Sequence, residues 1–399
     1  MLKQYVTTLA EYAKYWQFSP FECSRPDWNP TLVHYLVNLS EAEIEELAAD
    51  SRLSFACFSP WFPKLLVLPD IADEVADAAP PSYDIPFWLT NGIGGRKLAQ
   101  IEALLAQLPT QPQRLMEWCA GKGHLGRLLS FTHQHSVCSV EWQPALCEAG
   151  QQLAQQHQLP QQFIQADVLQ HGLDEQWAQV DGAVALHACG DLHLQLLRSG
   201  AEHQVQNLYV APCCYHLIQA DTYAGLSAYG QQLLRRHFMY VGRPLTRADL
   251  KLAVQEQVTA GARVARLRQQ EVQWRLAYQQ LYQIVSGQLH YRPLPSVSKH
   301  WFSGEFLDFA KWAAQQHGIE LPAEVDVPYL LASGEAERIR VARMDLVRHL
   351  FRRPLEAMLV LDRAQYLQEQ GYQVQIKEFC DYNLTPRNFL ISAQQTKAK

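Results

Sequence analysis

The stretch Glu117-Trp-Cys-Ala-Gly-Lys-Gly-His-Leu-Gly126 constrains the fold more than any other part of this chain. It follows the apolar pair Leu115-Met116 and runs into Arg127-Leu128-Leu129. That order reads as a strand, a glycine turn and a helix start. Gly121 and Gly123 carry no Cβ, so the backbone can turn tightly there and approach a ligand. The helix start beyond them offers unpaired N–H groups and the positive end of a dipole. Turns of this kind bind nucleotide-like ligands at the carboxyl edge of a parallel sheet. Glycine turns are common, so the elements that follow decide what this one means.

After the turn, apolar runs and helical patterns alternate. The pattern predicts strands over 114–119, 136–140, 162–166, 181–186 and 207–211, with helices over 97–108, 145–158 and 192–203. Such alternation calls for a parallel sheet with right-handed crossovers. From 217 to about 354 the chain reads mainly as helix. The sheet pattern resumes with a helix over 355–370 closed by Gly371, an alternating strand over 372–379 and a last strand over 388–392. The simplest topology is a seven-stranded sheet, five strands before a helical insertion and two after it. Residues 1–80 form a further helical segment, with a capping box at Ser40 and Glu43. The prolines near residue 80 predict a boundary. The expected division is therefore an N-terminal helical domain (1–80), a core (81–216), a helical insertion that is a candidate substrate domain (217–354) and the rest of the core (355–399).

Composition sets the class. The 399 residues are 48% hydrophobic and 19% charged, which is ordinary for a globular protein. A net charge of −6 gives no global reason to bind nucleic acid. No apolar run is long enough to span a bilayer. The start, Met1-Leu2-Lys3-Gln4-Tyr5, lacks an apolar core followed by a cleavage site. Nine cysteines in such a chain suggest free thiols in a reducing compartment, so the expected location is cytoplasmic.

Glu141 closes the second strand, about twenty residues past the glycine turn, where a carboxylate can accept hydrogen bonds from ribose hydroxyls. Asp167 closes the third strand, where a carboxylate can meet an adenine amino group; the alternative is a turn cap. Trp142 can stack on the base or serve as a core tryptophan. A glycine turn followed by two acidic strand ends is the signature of an S-adenosylmethionine site. Gly121-Lys-Gly-His-Leu-Gly126 alone would also suit a nicotinamide dehydrogenase, but the His187-Ala-Cys-Gly-Asp191 block has no role in hydride transfer that we can give.

The blocks Glu117-Trp-Cys-Ala-Gly-Lys-Gly-His-Leu, Leu186-His-Ala-Cys-Gly-Asp-Leu, Ala211-Pro-Cys-Cys-Tyr-His and Phe379-Cys-Asp-Tyr-Asn-Leu-Thr-Pro-Arg-Asn carry a family resemblance. The chain resembles class I S-adenosylmethionine-dependent methyltransferases. More narrowly it resembles the methyltransferase-like 25 family and its bacterial relatives, over about 95–216 and 355–399. Similar blocks occur in relatives that include a tRNA 2′-O-methyltransferase. The resemblance implies a Rossmann-like, seven-stranded, mostly parallel sheet, with S-adenosylmethionine as cofactor. It implies a cofactor site drawn from Glu117, Cys119, Gly121, Gly123, Glu141, Trp142, Asp167 and His187. Cys119 stands where many methyltransferases have a first glycine. RNA is the acceptor it suggests first, with protein or a small molecule as alternatives; neither DNA nor a membrane is expected as partner.

In this fold the fourth and fifth strands present the acceptor beside the methyl group. His187, Asp191, Tyr215 and His216 are the candidates there, as groups that align a nucleophile or take its proton. Asp191 has a plainer reading as a helix cap. Cys119, Cys189, Cys213, Cys214 and Cys380, with His187 and His216, also fall near strand ends and would share one rim. Thiolates and imidazoles can bind zinc, but neighbouring Cys213 and Cys214 would point oppositely on an extended strand, so no metal is expected. Arg235, Arg236, Arg243, Arg247, Arg263, Arg266, Arg268 and Arg275 suggest an RNA-facing stripe or, better given the acidic residues among them, a solvated helix face. The rival from another class is a non-catalytic cofactor- or RNA-binding module acting through the insertion.

Overall fold

The computed structural model describes residues 1–73, 83–170, 172–240, 242–255 and 262–396. The boundary expected at Pro80 and Pro81 lies outside them. The chain divides into two compact units, one of Met1–Ala10, Val67–Glu256 and Arg352–Lys399, the other of Glu11–Leu66 and Gln257–Phe351. The boundaries expected near residues 80 and 217 do not coincide with this division. Both helical segments contribute to the second unit, while residues 217–255 stay with the first.

The first unit holds the sheet. Its strands are β1 (Arg114–Trp118), β2 (Ser136–Glu141), β3 (Gln161–Gln165), β4 (Gly182–Cys189), β5 (Asn207–Cys213), β8 (Tyr372–Glu378) and β9 (Phe389–Gln395), and β6 (Thr222–Tyr223) and β7 (Leu245–Thr246) form a separate ribbon. The sheet order is β3-β2-β1-β4-β5-β9-β8. β1 to β5 pair in parallel, and β9 runs antiparallel to both β5 and β8. This is the expected seven-stranded, mostly parallel, Rossmann-like sheet. The central strands read as unbroken apolar runs because both faces are covered; every residue of β5 is buried. Leu104, Leu128, Val137, Val184 and Leu390 pack into one core from helices and strands alike.

Two strands outrun their expected ends. β4 continues from Leu186 to Cys189 through a bulge at His187, where the pairing register slips between Leu186 and Ala188. β5 continues from Ala211 to Cys213. The order reverses between β1 and β4, so the crevice at their carboxyl ends is where such a sheet offers a ligand site.

The second unit is helical. Its longest helices are Ala262–Ser286 and Val327–His349, with Phe306–His317 beside them. Trp274, Tyr278, Phe302, Phe306 and Phe309 fill its core. Ser40 and Glu43 make the expected capping box, and the N-terminal helices join Val327–His349 through Arg338 on Glu41 (3.2 Å) and Arg343 on the Leu39 carbonyl (2.8 Å). No helix among the described residues is long and apolar enough to cross a membrane.

Candidate functional site

The glycine turn takes the form its residues require. Gly121 and Gly123 have φ of +61° and +66°, in the left-handed region that glycine enters without a Cβ clash. Their surroundings differ. A Cβ on Gly123 would stand 2.3 Å from the Phe163 ring, so this glycine lets β3 and the helix His124–Thr132 approach. A Cβ on Gly121 would meet nothing within 4 Å. That open side is where a ligand can lie against the backbone. Cys119, in the place of a first glycine, also adopts φ +57°. Its thiol is pushed up to about 12, chiefly by burial, so it is a neutral small side chain at neutral pH.

Glu141 is buried and braces this turn. Its Oε2 accepts the Gly121 N–H at 2.9 Å and its Oε1 the Gln143 N–H at 3.0 Å. Each carboxylate oxygen keeps a second lone pair for a ligand hydroxyl. Trp142, next along, is 64% exposed, which removes the core reading. Asp167 accepts the Leu169 N–H at 3.0 Å, as a turn cap does.

Below the turn lies a cavity of about 630 Å³ lined by Gly94–Lys97, Gln100, Ile101, Glu117–Ala120, Leu125, Leu186 and His187. Glu117 is 3% exposed. Gln161 of β3 donates to Ser139 of β2 (2.8 Å), and Ser139 donates to Glu117 of β1 (2.6 Å). Backbone N–H groups of Gly126 and Leu125 add to it. Burial nonetheless outweighs these hydrogen bonds and pushes the Glu117 carboxyl up to about 7. A buried carboxyl poised near neutrality beside a cavity is suited to a cationic ligand group.

His187 sits on the β4 bulge with φ +62°, a strained conformation for a side chain of its size. Its Nε2 lies 3.2 Å from Gln100 Oε1, so the amide oxygen accepts and Nε2 carries the proton. Nδ1 then holds a lone pair; it is buried and has no hydrogen-bond partner. Burial pushes the imidazole down to about 4. A neutral ring with a free acceptor can align an acceptor O–H or N–H, and a base this weak orients a nucleophile more than it deprotonates one.

The other three acceptor-side candidates stand elsewhere. Asp191 opens the helix Asp191–Glu202 and accepts the Gln219 N–H at 2.6 Å, tying the two strand-end loops together. Tyr215 is fully buried, its hydroxyl donating to Glu356 at 3.3 Å, so it faces the core and not the cavity. A phenol is tolerated inward there because Glu356 and its partner Arg353 (2.9 Å) wait for it. His216 is half-buried and is not among the cavity's lining residues. Conversely, Arg96, Lys97 and Gln100 were missed. They come from the first turns of the helix Gly95–Leu105, whose only sequence signal was amphipathic periodicity.

The arginines read as a solvated helix face, with an RNA-facing stripe as the alternative, fall in different units, Arg235–Arg247 in the first and Arg263–Arg275 in the second. Arg243 pairs with Asp249 (2.8 Å), Arg247 with Asp221 (2.7 Å) and Arg275 with Glu271 (3.0 Å).

Comparison with known proteins meets this geometry at the same residues. Residues 96–221, which supply nearly all of the cavity and the turn, match the model of a family described as a methyltransferase domain. The segment that builds the site is a methyltransferase domain, and its cofactor is S-adenosylmethionine. Among solved structures, the chain is similar to coclaurine N-methyltransferase bound to N-methylheliamine and SAH, at 15% identity and a TM-score of 0.26 over 52% of this chain and 62% of that one. It thus spans less than two thirds of that enzyme's length. It is also similar to the B. subtilis M1A22 tRNA methyltransferase TrmK, at 11% identity and a TM-score of 0.25 over 54% of this chain and 96% of that one. No curated protein matches the chain.

Proposed function

We propose that this chain transfers the methyl group of S-adenosylmethionine to RNA, as a cytoplasmic relative of the methyltransferase-like 25 family. The observation that carries the reading is one juxtaposition. The open face of Gly121, braced by Glu141, adjoins a cavity whose walls hold a buried carboxyl, Glu117, and a neutral imidazole, His187. In this reading Glu141 takes the ribose hydroxyls, exposed Trp142 the base, Asp167 its amino group, and Glu117 the cationic methionyl end. His187 is kept as the acceptor-aligning residue because it alone of the four candidates lines the cavity. S-adenosylmethionine supplies an activated methyl; the protein's part is alignment and exclusion of water.

RNA is favoured by the four sequence blocks and by Arg96 and Lys97 in the cavity wall, where cations would meet phosphates. The cytoplasmic assignment rests on cysteines that are all free.

His187→Ala is expected to lower turnover by about 10- to 100-fold while leaving cofactor affinity within about threefold, since it removes an interaction made with the acceptor. Because His187 titrates near 4, the parent's rate should show no inflection from it between pH 6 and 8. An equal loss of cofactor binding would place the imidazole on the wrong substrate.

The acceptor is tested by tritium transfer from labelled cofactor into fractionated extract of cells lacking the gene. Nuclease-sensitive label in RNA supports the proposal. Label confined to protein or small molecules overturns the RNA acceptor. Cofactor binding with no transfer to any fraction overturns catalysis and leaves a binding module.

A further inference from the structure

We propose that Cys189, Cys213 and Cys214 bind one Zn²⁺ ion where β4 and β5 end. Their Sγ atoms all lie within 4.8 Å of one another, and those of Cys189 and Cys213 are 3.3 Å apart. Thiolates at about 2.3 Å from a tetrahedral zinc stand roughly 3.8 Å from each other, so the triangle is close to the size required. All three thiols are free.

The convergence depends on two backbone irregularities. Side-chain alternation should send Cys213 and Cys214 to opposite sides. Cys214 instead adopts φ +45°, and this left-handed residue breaks the alternation so that both thiols reach one point. On β4, the bulge at His187 shifts the register so that Cys189 pairs directly with Cys213. A left-handed conformation costs free energy for any residue with a Cβ. Packing a small apolar side chain would not need that cost; bringing a third sulfur to the other two does.

His216, two residues past Cys214, has a buried Nδ1 without a hydrogen-bond partner. The ring nitrogens of His216 do not lie within 4.8 Å of all three sulfurs, so three thiolates hold the ion and the fourth position is open to water. Soft thiolates favour zinc over hard cations such as magnesium or calcium. Binding releases the protons of whichever thiols are neutral.

None of the three cysteines lines the cofactor cavity. The ion would act as a clamp between strand ends. It would also fix the acceptor side indirectly, because the Cys213 thiol lies 3.2 Å from the His187 carbonyl.

The test uses the full chain without a histidine tag, purified under reducing conditions and supplied with zinc alone. We expect about one zinc per chain by elemental analysis, with Cys189→Ser, Cys213→Ser and Cys214→Ser each losing at least about tenfold in zinc affinity against a chromophoric chelator. Cys147→Ser, on the helix Pro144–Gln156, should keep the metal. If the serine variants do not fold, the parent still decides: removing zinc with a strong chelator should expose three further thiols to a reagent. Folded parent that takes up less than about a tenth of an equivalent overturns the site. So does full zinc retention in all three variants, or a Cys189–Cys213 disulfide in protein from unstressed cells.

Discussion

Gly190→Ala is expected to destabilise the sheet-bearing unit by more than about 4 kcal/mol, among the largest effects a single methyl can have. Gly190 follows β4 with φ +52° and ψ −123°, a combination that residues with a Cβ rarely adopt. An added Cβ would stand 1.8 Å from the Leu217 carbonyl oxygen and 2.4 Å from its carbon. These are backbone atoms, so no rotamer change relieves the clash. The same carbonyl accepts the Asp191 N–H at 3.0 Å, while Gly190 donates to the Cys213 carbonyl at 3.1 Å. Moving Leu217 away would break the bonds that hold the loop after β5 against the loop after β4. Thermal denaturation measures this, with Gly92→Ala as the control. Gly92 also has a positive φ, +80°, but its Cβ would meet nothing within 4 Å. The control should cost only about 1 kcal/mol, from backbone strain alone. Equal losses in the two variants would mean that Leu217 shifts freely, and the clash argument would fail.

The same backbone features mark where the sequence stopped being legible. The alternation of strands and helices could be read because parallel strands buried on both faces leave apolar runs, each ended by glycine or a polar residue. The glycine turn could be read for a similarly local reason. Strand ends could not. Leu186 looked like the end of β4 because His187 is polar, yet the strand bulges there and resumes to Cys189. Cys214 looked opposed to Cys213 because the alternation rule assumes extended backbone, and φ +45° violates it. Cys119, His187 and Cys214 are non-glycine residues with positive φ, and each sits at the carboxyl end of a central strand. Backbone strain of this kind collects at functional rims, and a sequence pattern does not announce it.

Other misses were tertiary. Tyr215 follows a strand end with polar neighbours, as an acceptor-side residue would, but its hydroxyl direction was set by Glu356, 141 positions away. Gln100 and Lys97 lie on an amphipathic helix that looked only like a lead-in to β1; they reach the cavity because the helix Gly95–Leu105 packs beside the crevice. Reading 217–354 as one insertion hid a change of partner near residue 256, where the chain leaves the sheet-bearing unit. Nothing in the helical periodicity on either side differs enough to mark that point.

Glu117→Gln should separate stability from function in opposite directions. Burial raises the Glu117 carboxyl from 4.5 to about 7 in the folded chain. Between those values the folded state holds a proton that the unfolded state has released, so stability falls as pH rises through that window. The loss is complete above about pH 7 and amounts to roughly 3 kcal/mol, from 1.36 kcal/mol per pKa unit. Glutamine does not ionise and can keep one acceptor toward Ser139, so above pH 7 the variant should be more stable than the parent by part of that amount. Below about pH 4 the advantage should vanish, because both states of the parent are then protonated. Cofactor binding should move the other way. The cationic end of S-adenosylmethionine favours the ionised carboxylate, so below pH 7 the parent must give up a proton to bind. Its affinity should therefore weaken as pH falls, by up to about tenfold per unit. Glu117→Gln should bind weakly at pH 8 and show almost no pH dependence from 8 down to 6. Calorimetric titration with the cofactor, and denaturation at pH 4, 7 and 8.5, measure the two halves separately. A variant that gains stability yet binds the cofactor with the parent's affinity and pH profile would leave the buried carboxyl intact as a source of strain and remove it from the cofactor site.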